Sequence, residues 1–374
     1  MNENIHKNGD HESVEEVVVD DDTEKDFTVK PVQYDISSYG ADLDVEGLVN
    51  RLKRNDIYIP PFQRNYVWSQ REASRFIESL LLGLPVPGIF LARERDSKRL
   101  LVIDGQQRLK TLQFFYGGFF NPKEDEKYKR VFELIEVQEQ FQGKTYENLN
   151  GDDRITLNDS IIHATIVKQD APKGDQSSIY HIFERLNTMG RKLSPQQIRV
   201  AIYHGFLIDE LHDLNKHKSW REIYGNPSKT LKDEELILRF FALYYFGPEY
   251  TKPMKEFLHE SMEKLIFRGR CIIGELRNLF IGTIDFIHDV LGRKAFRIER
   301  AINAAVYDSV MVGTAKRLKS GSKPKNCDFY SAYSELLKKG EYITLVSQST
   351  ADESNIEKRL EFATSAFEVV ASEK

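Results

Sequence analysis

The 374-residue sequence is poor in the features that mark several protein classes. It has two cysteines, Cys271 and Cys327, far apart and outside any C-x-x-C spacing. That pattern excludes a disulfide framework or a cysteine-based zinc site and fits a reducing cytoplasm. Long apolar runs are absent too. The longest uncharged stretch, Ser79 to Ala92, is broken by Gly83, Pro85, Pro87 and Gly88, which leaves it too short and too interrupted to cross a bilayer. The first residues contain no apolar core of a secretory leader, and no internal repeat is visible. After residue 205 histidines are few: His212 and His217 are five apart, off the spacing of one helix face, and His259 and His288 stand alone. Metal sites need several ligands together, so each reads as a surface or core histidine.

What remains is a soluble globular composition, 40% hydrophobic and 30% charged, with 23 Phe and 17 Tyr. The length allows two domains. The net charge of −5 is uneven. Residues 1–30 hold ten acids against three lysines, −7, leaving 48 acids and 50 bases, about +2, for the body. So acidic and core-poor a segment is expected to be disordered. It reads either as a solvated leader or as an acidic mimic competing for a basic surface. Residues 51–110 carry 12 bases against 6 acids, and the stretch KRLKSGSKPK at 316–325 has five bases and no acid. Basic surface gives sequence-independent affinity for phosphate backbones, although the second stretch also reads as a solvated loop. Tyr58, Tyr66 and Trp68 can stack on a base, but aromatics beside apolar helices more often belong to a core.

The order of elements predicts an α+β chain. Residues 31–205 read as a mixed α/β domain and residues 206–374 as an all-helical one. A capping box at Ser69 and Glu72 starts a helix that places Ala73, Phe76, Ile77, Leu80 and Leu81 on one face. Ile89–Ala92 and Leu100–Ile103 read as strands around a charged turn, and 161–168 as another. Next, Leu109, Leu112, Phe115 and Tyr116 form a helical stripe that ends at Gly117-Gly118. Ser194-Pro195-Gln196-Gln197 starts a further helix with an N-cap, a first-position proline and a capping-box glutamine. Beyond residue 205, long amphipathic segments such as DEELILRFFALYYFG and GELRNLFIGTIDFIHDVLG dominate.

Three polar turns punctuate the first domain. In LLVIDGQQRLKTLQFF, residues 100–115, a strand passes into a helix through Asp104-Gly105-Gln106-Gln107-Arg108. A strand that turns into a helix aims free backbone N–H groups and the positive end of the helix dipole at one point, a ready anion site. Arg108 adds a fork for phosphate oxygens. Gln106 and Gln107 suit phosphate, ribose or water, and Asp104 can hold Mg²⁺ or orient a water. A plainer account makes Asp104 the N-cap, Gln107 its capping-box partner and Arg108 solvated. The second turn, in IYIPPFQRNYVWS, places Gln63-Arg64 after a Pro-Pro break. The third, in FERLNTMGRKLSPQQIR, places Glu184, Asn187, Thr188 and Arg191 at a tight corner between helices. Together they look like parts of one pocket.

The order P-x-Q-R-x-Y-x-W, then DGQQR, then F-x-R-L-N-T-x-G-x-x-L resembles the N-terminal domain family of GmrS/GmrD-type modification-dependent restriction enzymes over residues 40–205. The resemblance implies a ParB/sulfiredoxin-like fold and a site that binds a nucleoside triphosphate with Mg²⁺ and hydrolyses it. It makes Asp104, Gln106, Gln107 and Arg108 catalytic. Gln63, Arg64, Gly105, Asn187 and Thr188 become nucleotide-binding, and Asp104, Glu184 and Asn187 metal-holding. Many members also carry an HNH nuclease domain, and its His–Asn–His pattern has no counterpart after residue 205.

The expected function is therefore a cytoplasmic, Mg²⁺-dependent nucleoside triphosphatase acting in or beside defence against foreign DNA. DNA, a separate nuclease subunit or a second copy of the chain are its expected partners, and no membrane is involved. Two alternatives stay open. One is a non-catalytic, nucleotide-switched DNA-binding adaptor of ParB type; the other is a nuclease that uses the same pocket.

Overall fold

The computed structural model describes residues 18–19, 35–60, 66–94, 98–122, 129–171, 182, 193–203, 205–321 and 323–372. The chain divides into two compact units. One is Lys30–His204; the other is Gly205–Lys374 together with Met1–Val29. The expected disorder of the acidic tail lies outside the described residues, except at β1 (Val18–Val19), which pairs in parallel with β7 (Ile302–Asn303). No helix among the described residues is long and apolar enough to cross a membrane.

The first unit is built on a mixed five-stranded sheet. Its strands are β2 (Asp35–Asp44), β3 (Ile57–Tyr58), β4 (Ile89–Arg93), β5 (Leu100–Asp104) and β6 (Ile161–Ala171), in the order β2-β6-β4-β5-β3. The β2–β6 and β4–β5 pairs are antiparallel, and the β4–β6 and β3–β5 pairs are parallel. Four consecutive residues of β5, Leu100 to Ile103, are buried, so both faces of that strand are covered, as a central strand requires.

Its described α-helices are α1 (Val45–Lys53), α2 (Gln70–Leu81), α3 (Gln106–Tyr116), α4 (Gly151–Asp159) and Pro195–Ile202. The capping box at the start of α2 forms in full. Ser69 Oγ accepts the Glu72 N–H at 3.3 Å, and Glu72 Oε2 accepts the Ser69 N–H at 2.7 Å. The α2 stripe read from the sequence is buried, as are Leu109, Leu112 and Phe115 of α3, and all join one core. That core fixes where the N-terminus of α3 lies against the end of β5.

Among its described residues the second unit is helical apart from the short β1–β7 pair. Its longest helices are Lys232–Phe246, Ile273–Leu291, Ala304–Lys319 and Glu353–Glu368. A buried charge cluster joins three of them. Asp308 Oδ1 accepts Arg239 Nε at 3.1 Å, while its Oδ2 accepts Arg239 Nη2 at 2.7 Å and Arg359 Nη2 at 2.9 Å. The three side chains are between 0 and 3% exposed. Nearby, Gly313 lets two helices touch backbone to backbone: a Cβ there would stand 2.9 Å from the carbonyl carbon of Ala363.

Removing a shared carboxylate from such a cluster strands the guanidinium groups without water. Asp308→Ala is therefore expected to destabilise the helical unit by about 3–5 kcal/mol, the cost of breaking a buried ion pair from one side. Urea unfolding followed by circular dichroism measures this, and an unchanged midpoint would show that the cluster is not needed for stability.

Candidate functional site

The site grows from one turn. Asp104 is the last residue of β5, and Gly105 is the N-cap of α3 with φ 98°, a left-handed conformation. This differs from the plainer account of the sequence, in which Asp104 caps the helix. Glycine is required for two reasons. Side chains rarely adopt that φ, and a Cβ would lie 2.4 Å from Ile89 Cγ2 and 3.3 Å from Arg108 Nη2. The turn thus packs tightly on β4 while the Arg108 guanidinium folds back across it.

With glycine as N-cap, no side chain caps α3. The first-turn N–H groups have no intrahelical acceptor, so they keep their partial positive charge for something else. Arg108 is not solvated: its side chain is 15% exposed, and Nη2 donates to Asp104 Oδ2 at 2.8 Å. Asp104 itself is more than half exposed. Two buried polar atoms of this turn, Gln106 Oε1 and Arg108 Nε, have no partner among the described residues. Lys110, one turn further along, is buried as well.

Gln107 faces elsewhere. Its Oε1 accepts the backbone N–H of Val67 at 3.0 Å and that of Trp68 at 3.4 Å. Four residues on, the Thr111 hydroxyl donates to the Gln107 carbonyl at 2.8 Å and lies 2.7 Å from the Tyr66 hydroxyl. Tyr66 meets Phe114 and Phe120 edge-on, and Trp68 meets Phe76. Both rings are therefore part of the core rather than free platforms for a base. Burial pushes the Tyr66 phenol up to about 12, with the Thr111 hydrogen bond and Glu72 as smaller, opposing influences.

Gln63, Arg64, Glu184, Asn187, Thr188 and Arg191 lie outside the described residues. Among the described residues, no group of three or more His, Cys, Asp or Glu is placed to hold a metal ion.

Histidines of the helical unit sit in pairs. His212 Nδ1 is 3.0 Å from Glu234 Oε1, His217 Nε2 is 2.6 Å from Asp285 Oδ1, and His288 Nε2 is 2.9 Å from Glu222 Oε2. His288 therefore does not stand alone, and His259 is buried. The basic stretches are thinned by internal contacts. Arg54, Arg71 and Arg99 form ion pairs with Asp56, Glu136 and Glu94, whereas Arg51, Lys53, Arg75 and Lys98 are exposed. In the 316–325 stretch, Arg317 is buried and donates to Val370 O and Ser372 Oγ. Lys316, Lys319, Lys323 and Lys325 remain exposed. The end of the chain closes on this turn, with Lys325 N–H donating to Ala371 O at 2.9 Å and a bridge pairing Pro324 with Ser372.

Two tests address the turn. Gly105→Ala combines an unfavourable φ with a clash, so a loss of about 1–3 kcal/mol is expected in urea unfolding. Adding Ile89→Ala should relieve the steric conflict but not the backbone strain, and a single variant as stable as wild type would remove the requirement for glycine. The second test uses pH. Because the folded pKa of Tyr66 is raised, its contribution is complete below pH 10 and is lost as pH rises from 10 through about 12. The stability difference between wild type and Tyr66→Phe should close over that window and stay constant below it.

No curated protein matches the chain. A family model, GmrSD restriction endonuclease, N-terminal domain, matches residues 45–204, a span that includes the DGQQR turn, the Gln63-Arg64 box and the FERLNTMGRKL stretch. Over these residues the chain is similar to the GmrSD N-terminal domain family.

Proposed function

We propose that the chain binds a nucleoside triphosphate with Mg²⁺ at the DGQQR turn and hydrolyses it, in a role connected with restriction of foreign DNA. A ParB/sulfiredoxin-like architecture for the first unit is part of the same reading. The observation that carries it is the pair of buried atoms without partners among the described residues, Gln106 Oε1 and Arg108 Nε, beside a helix N-terminus without a side-chain cap. Buried polar groups in folded proteins are nearly always satisfied. Arg108 Nε, a donor beside a helix N-terminus without a side-chain cap, fits an anionic oxygen, whereas Gln106 Oε1, an acceptor, fits a hydroxyl or a water. Similarity of residues 45–204 to the GmrSD N-terminal domain supports the connection with restriction.

In phosphoryl transfer the protein contributes mainly positioning and charge stabilisation. Arg108 would hold phosphate oxygens while Asp104 keeps its guanidinium oriented. The N–H groups of α3 would receive a second set of oxygens, and Gln106 would fix the nucleotide or an attacking water. Gln63 and Arg64 would form the opposing wall. Asp104 has one oxygen with no donor among the described residues and more than half of its side chain exposed, so it fits Mg²⁺, which takes one or two carboxylates together with phosphate oxygens. Glu184, Asn187 and Thr188 complete the proposed set. Bound Mg²⁺ would supply neutralisation of the phosphate charge.

Phosphate release from each nucleoside triphosphate, with and without DNA, tests this directly. Arg108→Ala and Arg64→Ala should each weaken triphosphate binding by about 1.5–3 kcal/mol, as for charge-assisted hydrogen bonds, with the fold retained. Unchanged calorimetric affinity in both would remove the phosphate assignment. The purified chain should leave plain duplex DNA uncut with Mg²⁺ or Mn²⁺. Nicking that disappears on Asp104→Ala would instead make the pocket a nuclease.

A further inference from the structure

We propose that Gln107 is a positioning residue: its side-chain carbonyl clamps the Val67–Trp68 backbone to α3, while the neighbouring Gln106 is the amide that meets the triphosphate. The assignment to Gln106 rests on the nucleotide reading above; the clamp does not. Two adjacent glutamines in one motif invite the same role, yet their surroundings differ. Gln107 Oε1 already accepts two backbone N–H groups, at 3.0 and 3.4 Å. Gln106 Oε1 is buried and accepts none. Successive residues of a helix point about 100° apart, so a residue committed to the 66–68 segment leaves its neighbour facing another direction.

The clamp is a closed ring of contacts. Val67 is 62% exposed, so apolar packing does not hold its backbone. The Thr111 hydroxyl gives its proton to the Gln107 carbonyl, and Tyr66 must therefore donate to Thr111 across the 2.7 Å contact. Gln107 and Thr111, at i and i+4, share one helix face, and both hold the same segment at adjacent residues. Immediately upstream in sequence are Gln63 and Arg64. Slackening at Val67 would loosen the segment that follows that box in sequence without touching any group proposed to contact phosphate.

Charge and shape separate the two roles. Leucine at either position keeps the size but removes the acceptor. Glutamate at 107 still accepts both N–H groups, whereas glutamate at 106 would set a negative charge against phosphates. The full chain carrying Gln107→Leu, Gln107→Glu, Gln106→Leu or Gln106→Glu is compared with wild type by two readouts. One is amide hydrogen exchange over residues 66–69 without nucleotide; the other is calorimetric affinity for Mg–ATP and Mg–GTP.

Gln107→Leu should speed exchange at 66–69 and weaken binding, each by about tenfold, the scale of one lost hydrogen bond. Gln107→Glu should return both to within about threefold of wild type. Both Gln106 variants should leave exchange unchanged and weaken binding, the glutamate more than the leucine. Unchanged exchange in Gln107→Leu would overturn the clamp. Full protection with lost affinity in Gln107→Glu would overturn the positioning role, since residue 107 would then itself face phosphate. If wild type binds neither nucleotide, the nucleotide reading falls and the exchange result alone upholds or overturns the clamp.

Discussion

The first unit depends on a strand ending and a helix beginning with a single left-handed residue between them. Gly105 brings the start of α3 so close to β4 that even a methyl group would strike Ile89. Because that residue has no side chain, it cannot cap the helix. Tight packing and an unsatisfied helix N-terminus are thus two results of the same choice of residue. The other described α-helices of this unit resolve the problem with their own polar residues: Asp44 for α1, Ser69 for α2, Asn150 for α4 and Ser194 for Pro195–Ile202. At α3 no side chain plays that part, and the Asp104–Arg108 pair leaves Arg108 Nε and Gln106 Oε1 without a partner among the described residues. A local departure from good capping, surrounded by elements that cap well, is where function is expected to override stability.

The two units solve the burial of polar groups differently. In the helical unit, Asp308 is bonded by Arg239 and Arg359 with little exposure, and Asp233 receives Asn215, Arg221 and the Ser228 N–H. Those networks tie helices that are distant in sequence. They behave as architecture, since their carboxylate oxygens are occupied by protein donors. In the DGQQR turn the ion pair is local, four residues apart, and its carboxylate is largely open to solvent. Charge in that turn is held ready, whereas charge in the helical unit is consumed by the fold.

The sequence was legible where local signals were strong. The α2 capping box, strands β4 and β5, the α3 stripe and the Ser194–Gln197 helix start could all be read because capping and periodicity are encoded within a few residues. Strand β2 was not read. It lies at the edge of the sheet, mostly exposed, and its Ser37-Ser38-Tyr39-Gly40 segment has no apolar alternation. The polar residues of the DGQQR turn were visible as unusual, but their division of labour was not. Nothing in the letters distinguishes Gln106 from Gln107, because the difference arises from Val67 and Trp68, some forty residues away. Arg317 presented the converse problem. It looked like one of five surface bases, and only tertiary contacts with Val370 and Ser372 show that it is interior.

That arginine has a further effect on its neighbours. Its bonds to the last part of the chain, with the Lys325–Ala371 and Pro324–Ser372 contacts, hold both sides of the turn that displays Lys316, Lys319, Lys323 and Lys325. A lysine-rich loop ordinarily loses backbone freedom when it settles on a polyanion, and that loss subtracts from the attraction. Here much of the ordering has already occurred during folding. These ammonium groups therefore stand on a preorganised frame, and any phosphate chain they meet has mainly their side chains left to order.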